Sequence, residues 1–386
     1  MIESAKRTQD VREYYFSGKL SEIRKMISDG TDVINLGIGN PDILPPDEVI
    51  NTLTGMSVKA GVHGYQPYRG IPELRAAISE WYGRYYNIEP DPESQVLPLI
   101  GSKEGILHIS MAYLNSGDGV LIPDPGYPAY ASAARICGAR CIYYDLESEN
   151  NWMPSLEKIE KTDLQNVKLM WINYPNMPTG AKASDDFFRD LVAFARKHDI
   201  LIINDNPYSF ILNKRPISIL TADHSLENVL ELNSLSKSHN MAGWRMGMLV
   251  GHENHIDNII RIKSNMDSGM FLPIQLAAVE ALKIGQAWYD RINEIYSLRR
   301  VIALEMLDIL GCRTGENQSG MFLWSMIPDG FPDSFEFSDH CLENFHLFIA
   351  PGQVFGSNGR SYVRTSLCIN ETRLREAVAR VKKTEL

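Results

Sequence analysis

The stretch SLSKSHNMAGWRMG, residues 234–247, sets Lys237 between two serines and places Arg245 eight residues after it. The apolar run VLELN precedes it, so Lys237 stands just beyond a predicted buried strand. Desolvation there and the charge of Arg245 both disfavour an ammonium and lower the amine's pKa, and a neutral amine attacks carbonyl carbons. A solitary lysine at a strand end would more often reach out to water, so the reading depends on its company. Asp205 follows the apolar run ILIIN, where a carboxylate needs a partner or is costly to bury; alternatively it or Asn206 caps a helix in NDNPY. Arg364 lies inside the apolar pattern SYVRTSLCI, where a guanidinium requires an anion. In LPLIGSKEGILHI, the residues Gly101, Ser102 and Lys103 carry a strand into a helix whose first N–H groups and dipole face an anion. Ser234 and Ser236 add hydroxyls and Arg245 adds a charged fork for that same anion.

Positioning such residues takes a sheet. The runs GVLIPDPGYP, VKLMWINYPNMPTG, DILIINDNPY and NVLELNSLSK are short, apolar and end in polar turn formers, the pattern of buried parallel strands. Between them, DDFFRDLVAFARKHD has helical spacing, and the alternation is an α/β signature. Asn173, Asp205 and Ser234 then gather at the carboxyl edge of one sheet, where open α/β folds bind ligands. Downstream, YDRINEIYSLRRVIALEMLDIL reads as helix, GMFLWSMI and SYVRTSLCI as strands, and NETRLREAVARVKK as a charged helix. The expected division is an N-terminal arm and part of a small domain over 1–45, a large domain over 46–285, and the rest of the small domain over 286–386.

Composition narrows the function classes. The 48 acidic and 38 basic side chains give a formal charge of −10, with the basic residues dispersed along the chain, which argues against nucleic acid or an anionic membrane as partner. No stretch has the length and apolarity of a membrane span or the h-region of a secretory signal, so the expected location is cytoplasmic. The five cysteines lack a C-x-x-C pair, which suits free thiols; Cys137 and Cys141 could meet on one helix. His252 and His255 have a metal-like spacing but no further ligands beside them; they read as a loop or helix end, and no metal is expected.

The whole chain resembles the class I/II aminotransferases, pyridoxal-phosphate (PLP) enzymes of fold type I. The fragments LGIGNPD, HGYQPYRGIPELRAAI, GSKEGI, PDPGYPAY, NYPNMPTG, NDNPY, SLSKSHNMAGWRMG and YVRTSLC occur in family order. The resemblance implies a large domain with a mostly parallel sheet flanked by helices, a smaller α+β domain, and a homodimer with shared active sites. It implies PLP held as a Schiff base on Lys237, its ring nitrogen on Asp205, its ring hydroxyl on Tyr208 and its ring face on Tyr127. Gly101, Ser102, Lys103, Ser234, Ser236 and Arg245 surround the phosphate, and Tyr65 reaches it from the partner subunit. Arg364 and Gly39 take the substrate carboxylate. The implied reaction moves an amino group between an L-amino acid and a 2-oxo acid.

One position departs from the family. Met177 stands where an asparagine usually precedes PTG and donates to the ring hydroxyl, and a thioether cannot donate. Asn173 or Asn176 takes over that contact, with Asn173 preferred because it directly ends its strand, or Tyr208 makes it alone. Tyr14 or Tyr15 in REYYFSGKL either approaches the substrate or staples the N-terminal arm to the core. The side chain accepted is expected to be neutral or bulky rather than that of aspartate. The rival activities are C–S β-elimination on the same fold and, from another class, a non-catalytic PLP-binding regulator.

Overall fold

The computed structural model describes residues 2–5, 7–10 and 15–383, so Tyr14 lies outside the described residues. Seven strands form the principal sheet: β1 (Val96–Leu99), β2 (Gly119–Asp124), β3 (Arg140–Asp145), β4 (Val167–Ile172), β5 (Leu201–Asp205), β6 (Val229–Ser234) and β7 (Gly247–Gly251). Their spatial order is β1-β7-β6-β5-β4-β2-β3. The pairs among β2 to β6 are parallel, whereas β7 runs antiparallel to both its neighbours. Every residue of β2, β5, β6 and β7 is buried, because helices cover both faces, and this is why the segments of β2, β5 and β6 read as largely apolar runs.

The helix Asp185–His198 shows how the crossovers are specified. The Ser184 hydroxyl accepts the Phe187 N–H at its start, Asp185 and Asp186 occupy the first turn, and Arg196, Lys197 and His198 the last. Both charge groups complement the helix dipole. Phe188, Leu191, Val192 and Ala195 form the buried stripe against the sheet.

The 24-residue helix Gln286–Ile309 leads to a four-stranded antiparallel sheet in the order Ala350–Pro351, Tyr362–Ser366, Phe322–Met326, Arg313–Thr314. The N-terminal segment joins this region, since Ile34–Asn35 pairs in parallel with Leu347–Phe348. On the long helix, the buried Arg299 holds Asp42 at 2.6 Å and Glu371 at 2.8 Å, tying the N-terminal segment to the last helix.

Cys137 terminates the helix Pro128–Ile136 and Cys141 lies in β3, so the two do not share a helix, and all five cysteines are free thiols. His252 caps the helix Glu253–Lys263 by accepting the Asn254 N–H, while His255 lies 2.5 Å from the Tyr113 hydroxyl, so the pair belongs to a helix end.

Candidate active site

The carboxyl edge of the principal sheet opens into a cavity of about 490 Å³. The reversed direction of β7 explains how distant segments converge there. Its first residue, Gly247, pairs with Leu99 at the end of β1 and with Ser234 at the end of β6. The chain therefore enters β7 at this edge, which sets Arg245 between the two strand ends. Glycine is required at both contacts. A Cβ on Gly247 would stand 2.6 Å from the Ser102 nitrogen, and one on Gly101, whose φ is +77°, would stand 2.1 Å from Arg245 Nη2. Gly101 starts the helix Ser102–Tyr113 and supplies no side-chain cap, so the first N–H groups remain for a ligand. Beside them, Ser234 Oγ donates to Ser236 Oγ at 2.8 Å. Ser102, Lys103, Ser234, Ser236 and Arg245 all line the cavity.

Lys237 sits in the single turn Leu235–Ser238 that follows β6, and its Nζ donates to the Gly39 carbonyl at 2.5 Å. Burial is the largest influence on this amine and lowers its pKa; Arg364 and Arg245 push the same way, against Cys368 and Asp205. At the end of β5, buried Asp205 accepts the Tyr130 hydroxyl through Oδ2 at 2.9 Å. Its other oxygen, Oδ1, is buried with no hydrogen-bond partner among the described residues. Burial pushes this carboxyl up to about 6, although the Tyr130 hydrogen bond and the Lys237 charge oppose the shift. An orphaned carboxylate oxygen invites a cationic N–H donor from a ligand.

Arg364 is buried on the strand Tyr362–Ser366, paired between Trp324 and Ala350. Its Nη2 donates to the Gly37 carbonyl at 2.6 Å and its Nη1 to Met177 Sδ at 3.2 Å. The guanidinium carbon lies 4.0 Å from the ring centre of Phe322 and 4.6 Å from that of Phe355. These rings hold the fork in place at the wall of the cavity.

Asn173 ends β4 and also lines the cavity, but its amide is engaged in the scaffold: Nδ2 donates to the Asp205 carbonyl, and Oδ1 accepts the Met177 N–H at 2.6 Å. Gly39, Tyr127, Tyr208 and Met177 complete this part of the wall. Asn176 and Tyr15 are not among the lining residues. Asn176 is turned into its own loop, with Oδ1 accepting the Thr179 hydroxyl at 2.8 Å. Tyr15 packs against Phe335, ring centres 5.6 Å apart, while Phe16, Ser17 and Leu20 from the same helix face the cavity. Tyr65 is 90 % exposed and outside the cavity of its own chain. Sequence reasoning missed Tyr130, whose position one turn into the helix after PDPGYP was the available signal, and the aromatic rings around Arg364.

These residues fit a phosphate-bearing ring with a basic nitrogen: an anion cradle, an amine of lowered pKa and an orphaned acid share one cavity. A family model described as aminotransferase class I and II matches residues 31–381. The LL-diaminopimelate aminotransferase of Halothermothrix orenii is 39% identical, with 100% of this chain and 99% of that protein covered. The enzyme of the same name from Dehalococcoides mccartyi is 38% identical, with 98% of each covered. Among solved structures, substrate-bound BacF from Bacillus subtilis superimposes with a TM-score of 0.96 at 35% identity, covering 100% of this chain and 98% of that one.

Proposed function

We propose, because the chain belongs to the class I and II aminotransferases, that its amino transfer between an L-amino acid and a 2-oxo acid runs at Lys237 with pyridoxal phosphate as cofactor. When bound, the cofactor supplies an aldehyde that takes up amino groups and a ring that withdraws electrons from the substrate carbon. The N-terminus of the helix at Ser102, with Ser234, Ser236 and Arg245, holds the phosphate. Asp205 holds a proton on the ring nitrogen, steadied by Tyr130, while Tyr127 covers the ring. Tyr208 and Asn173 serve the ring hydroxyl, Asn173 through the amide hydrogen that the scaffold does not use. Arg364 and Gly39 fix the substrate carboxylate, which sets the substrate's Cα–H bond where the Lys237 amine removes and returns the proton.

The observation that carries this reading is the buried Asp205 oxygen without a partner among the described residues, on a residue that lines the same cavity as Lys237. Incubation with one amino acid and 2-oxoglutarate tests it. Glutamate formation is expected; pyruvate and ammonia without glutamate would identify β-elimination instead.

The relatives named LL-diaminopimelate aminotransferase act on a substrate charged at both ends. In this cavity Phe16, Leu20, Ile38 and Phe322 form the wall, and Asp205 is the only carboxylate among the described lining residues. We therefore assign a bulky, uncharged amino-acid side chain to this chain's donor. A donor screen that preferred LL-diaminopimelate or aspartate over aromatic and branched amino acids would refute the assignment.

We propose the division into 1–45 with 286–386 against 46–285, under which Arg364 belongs to the small domain and Lys237 to the large one, both lining one cavity. A homodimer gives the exposed Tyr65 its role at the phosphate of the partner's site, and the exposed Leu44 and Val58 suit the same interface. Sedimentation of an active monomer would contradict it. No helix among the described residues is long and apolar enough to cross a membrane, which accords with a cytoplasmic location.

A further inference from the structure

We propose that Lys263 is a positioning residue for the phosphate cradle: its buried ammonium neutralises the carboxylate that shapes the cradle and anchors the segment presenting Tyr65. The proposal rests on the reading of the cavity given above. Lys263 is 1 % exposed, at the end of the helix Glu253–Lys263, and does not line the cavity. Burying an ammonium is costly unless it is paired. Its Nζ lies 3.5 Å from Glu104 Oε1 and forms an ion pair with Asp267 Oδ2.

Glu104 has two effects on the cradle that oppose each other. In the first turn of the helix Ser102–Tyr113, its Oε2 accepts the Ile100 N–H at 2.5 Å and closes the turn that leads into Gly101. A full negative charge at that helix end also repels any anion bound there. Burial alone would push this carboxyl up, yet His108, Lys263 and the Ile100 N–H together hold it down at about 2, so it is charged. Lys263 provides the compensating cation. The oxygens of Glu104 and Asp267 and the His108 nitrogen lie within 4.8 Å of one another, and the cation that the two carboxylates hold is the lysine's own ammonium.

Asp267 carries the network further. Its Oδ1 accepts the Gly269 N–H at 2.8 Å. Gly269 has a φ of +83°, and a Cβ there would stand 2.3 Å from the Gln66 carbonyl oxygen. Gln66 directly follows Tyr65. One buried charge thus supports the turn around this chain's own phosphate position and the segment that offers a tyrosine to the neighbouring subunit.

The test compares binding of pyridoxal phosphate and of phosphate-free pyridoxal to the full-length apoprotein, wild type against Lys263→Met. Both compounds can reach Lys237 through their aldehyde, so a loss specific to the phosphate reports on the cradle. The expected result is about a tenfold weaker affinity for pyridoxal phosphate, an affinity for pyridoxal changed by less than about twofold, and recovery of most of the loss in Lys263→Arg. Equal weakening for both compounds, or no weakening, would overturn the proposal. If Lys263→Met does not fold, Lys263→Gln, which keeps hydrogen-bonding capacity but removes the charge, takes its place with the same phosphate-specific loss expected. Wild-type protein that fails to take up pyridoxal phosphate would instead refute the reading of Lys237, so the two failures are distinct.

Discussion

Replacing Asp205 by asparagine should make the apoprotein more stable at alkaline pH even though it disables the active site. The carboxyl is buried, with one oxygen lacking a partner among the described residues, and burial moves it from 3.8 to about 6. Because the folded-state value lies above the unfolded one, the folded protein binds the proton more tightly. Folding is therefore penalised as pH rises from about 4 through about 6, and the full penalty persists above that. A displacement of this size disfavours the charged form by about 3 kcal/mol, an upper bound for a carboxylate that gains water on local opening. Asparagine keeps an acceptor for the Tyr130 hydroxyl and carries no charge. Thermal unfolding of apoprotein should show Asp205→Asn melting a few degrees above wild type at pH 8 and level with it near pH 4. A variant that melts below wild type at pH 8 would refute the reasoning, because Asp205 would then be held in its charged form by partners within the protein. The cofactor-loaded wild type should lose its disadvantage as the ring nitrogen satisfies the carboxylate.

Gly247→Ala places a methyl group against the Ser102 backbone nitrogen, where no flexible side chain can yield; cofactor affinity should fall by about tenfold or more, read by absorbance titration of apoprotein. Arg364→Lys replaces a planar fork by a point charge and should raise KM for the amino donor by about a hundredfold, with a smaller change in kcat, in steady-state assays. Met177→Asn adds an amide donor at a cavity wall where Asn173 and Tyr208 already serve the ring hydroxyl, so the pH at which the bound cofactor's visible absorption titrates should stay unchanged; a titration moved to lower pH would show that the wild type lacks that contact.

The parallel strands β2, β4, β5 and β6 were legible because a strand covered on both faces must be apolar throughout. Asn173, Asp205 and Ser234 at the ends of β4, β5 and β6 then marked the ligand-binding edge. Strand β3 was not legible: RCIYYD is largely exposed or half-buried at the sheet margin and carries no continuous apolar signal. The sense of β7 was also hidden, because direction depends on long-range pairing rather than on local pattern, and with it the reason Arg245 arrives beside Gly101. On the N-terminal helix, Tyr15 and Phe16 differ by 100° of rotation, so naming the aromatic that meets the cavity required knowing which face packs inward. The dispersed appearance of the basic residues likewise concealed Lys263: Asp267 is its neighbour four residues on, but Glu104 meets it only when two helices come together.

Attachment of the cofactor to the amine of Lys237 can be tested at that nitrogen itself. Reduction of the loaded protein with borohydride, followed by proteolysis and mass mapping, should find a pyridoxyl group on Lys237 and none on Lys103 or Lys263. A label elsewhere, or none, would contradict the account.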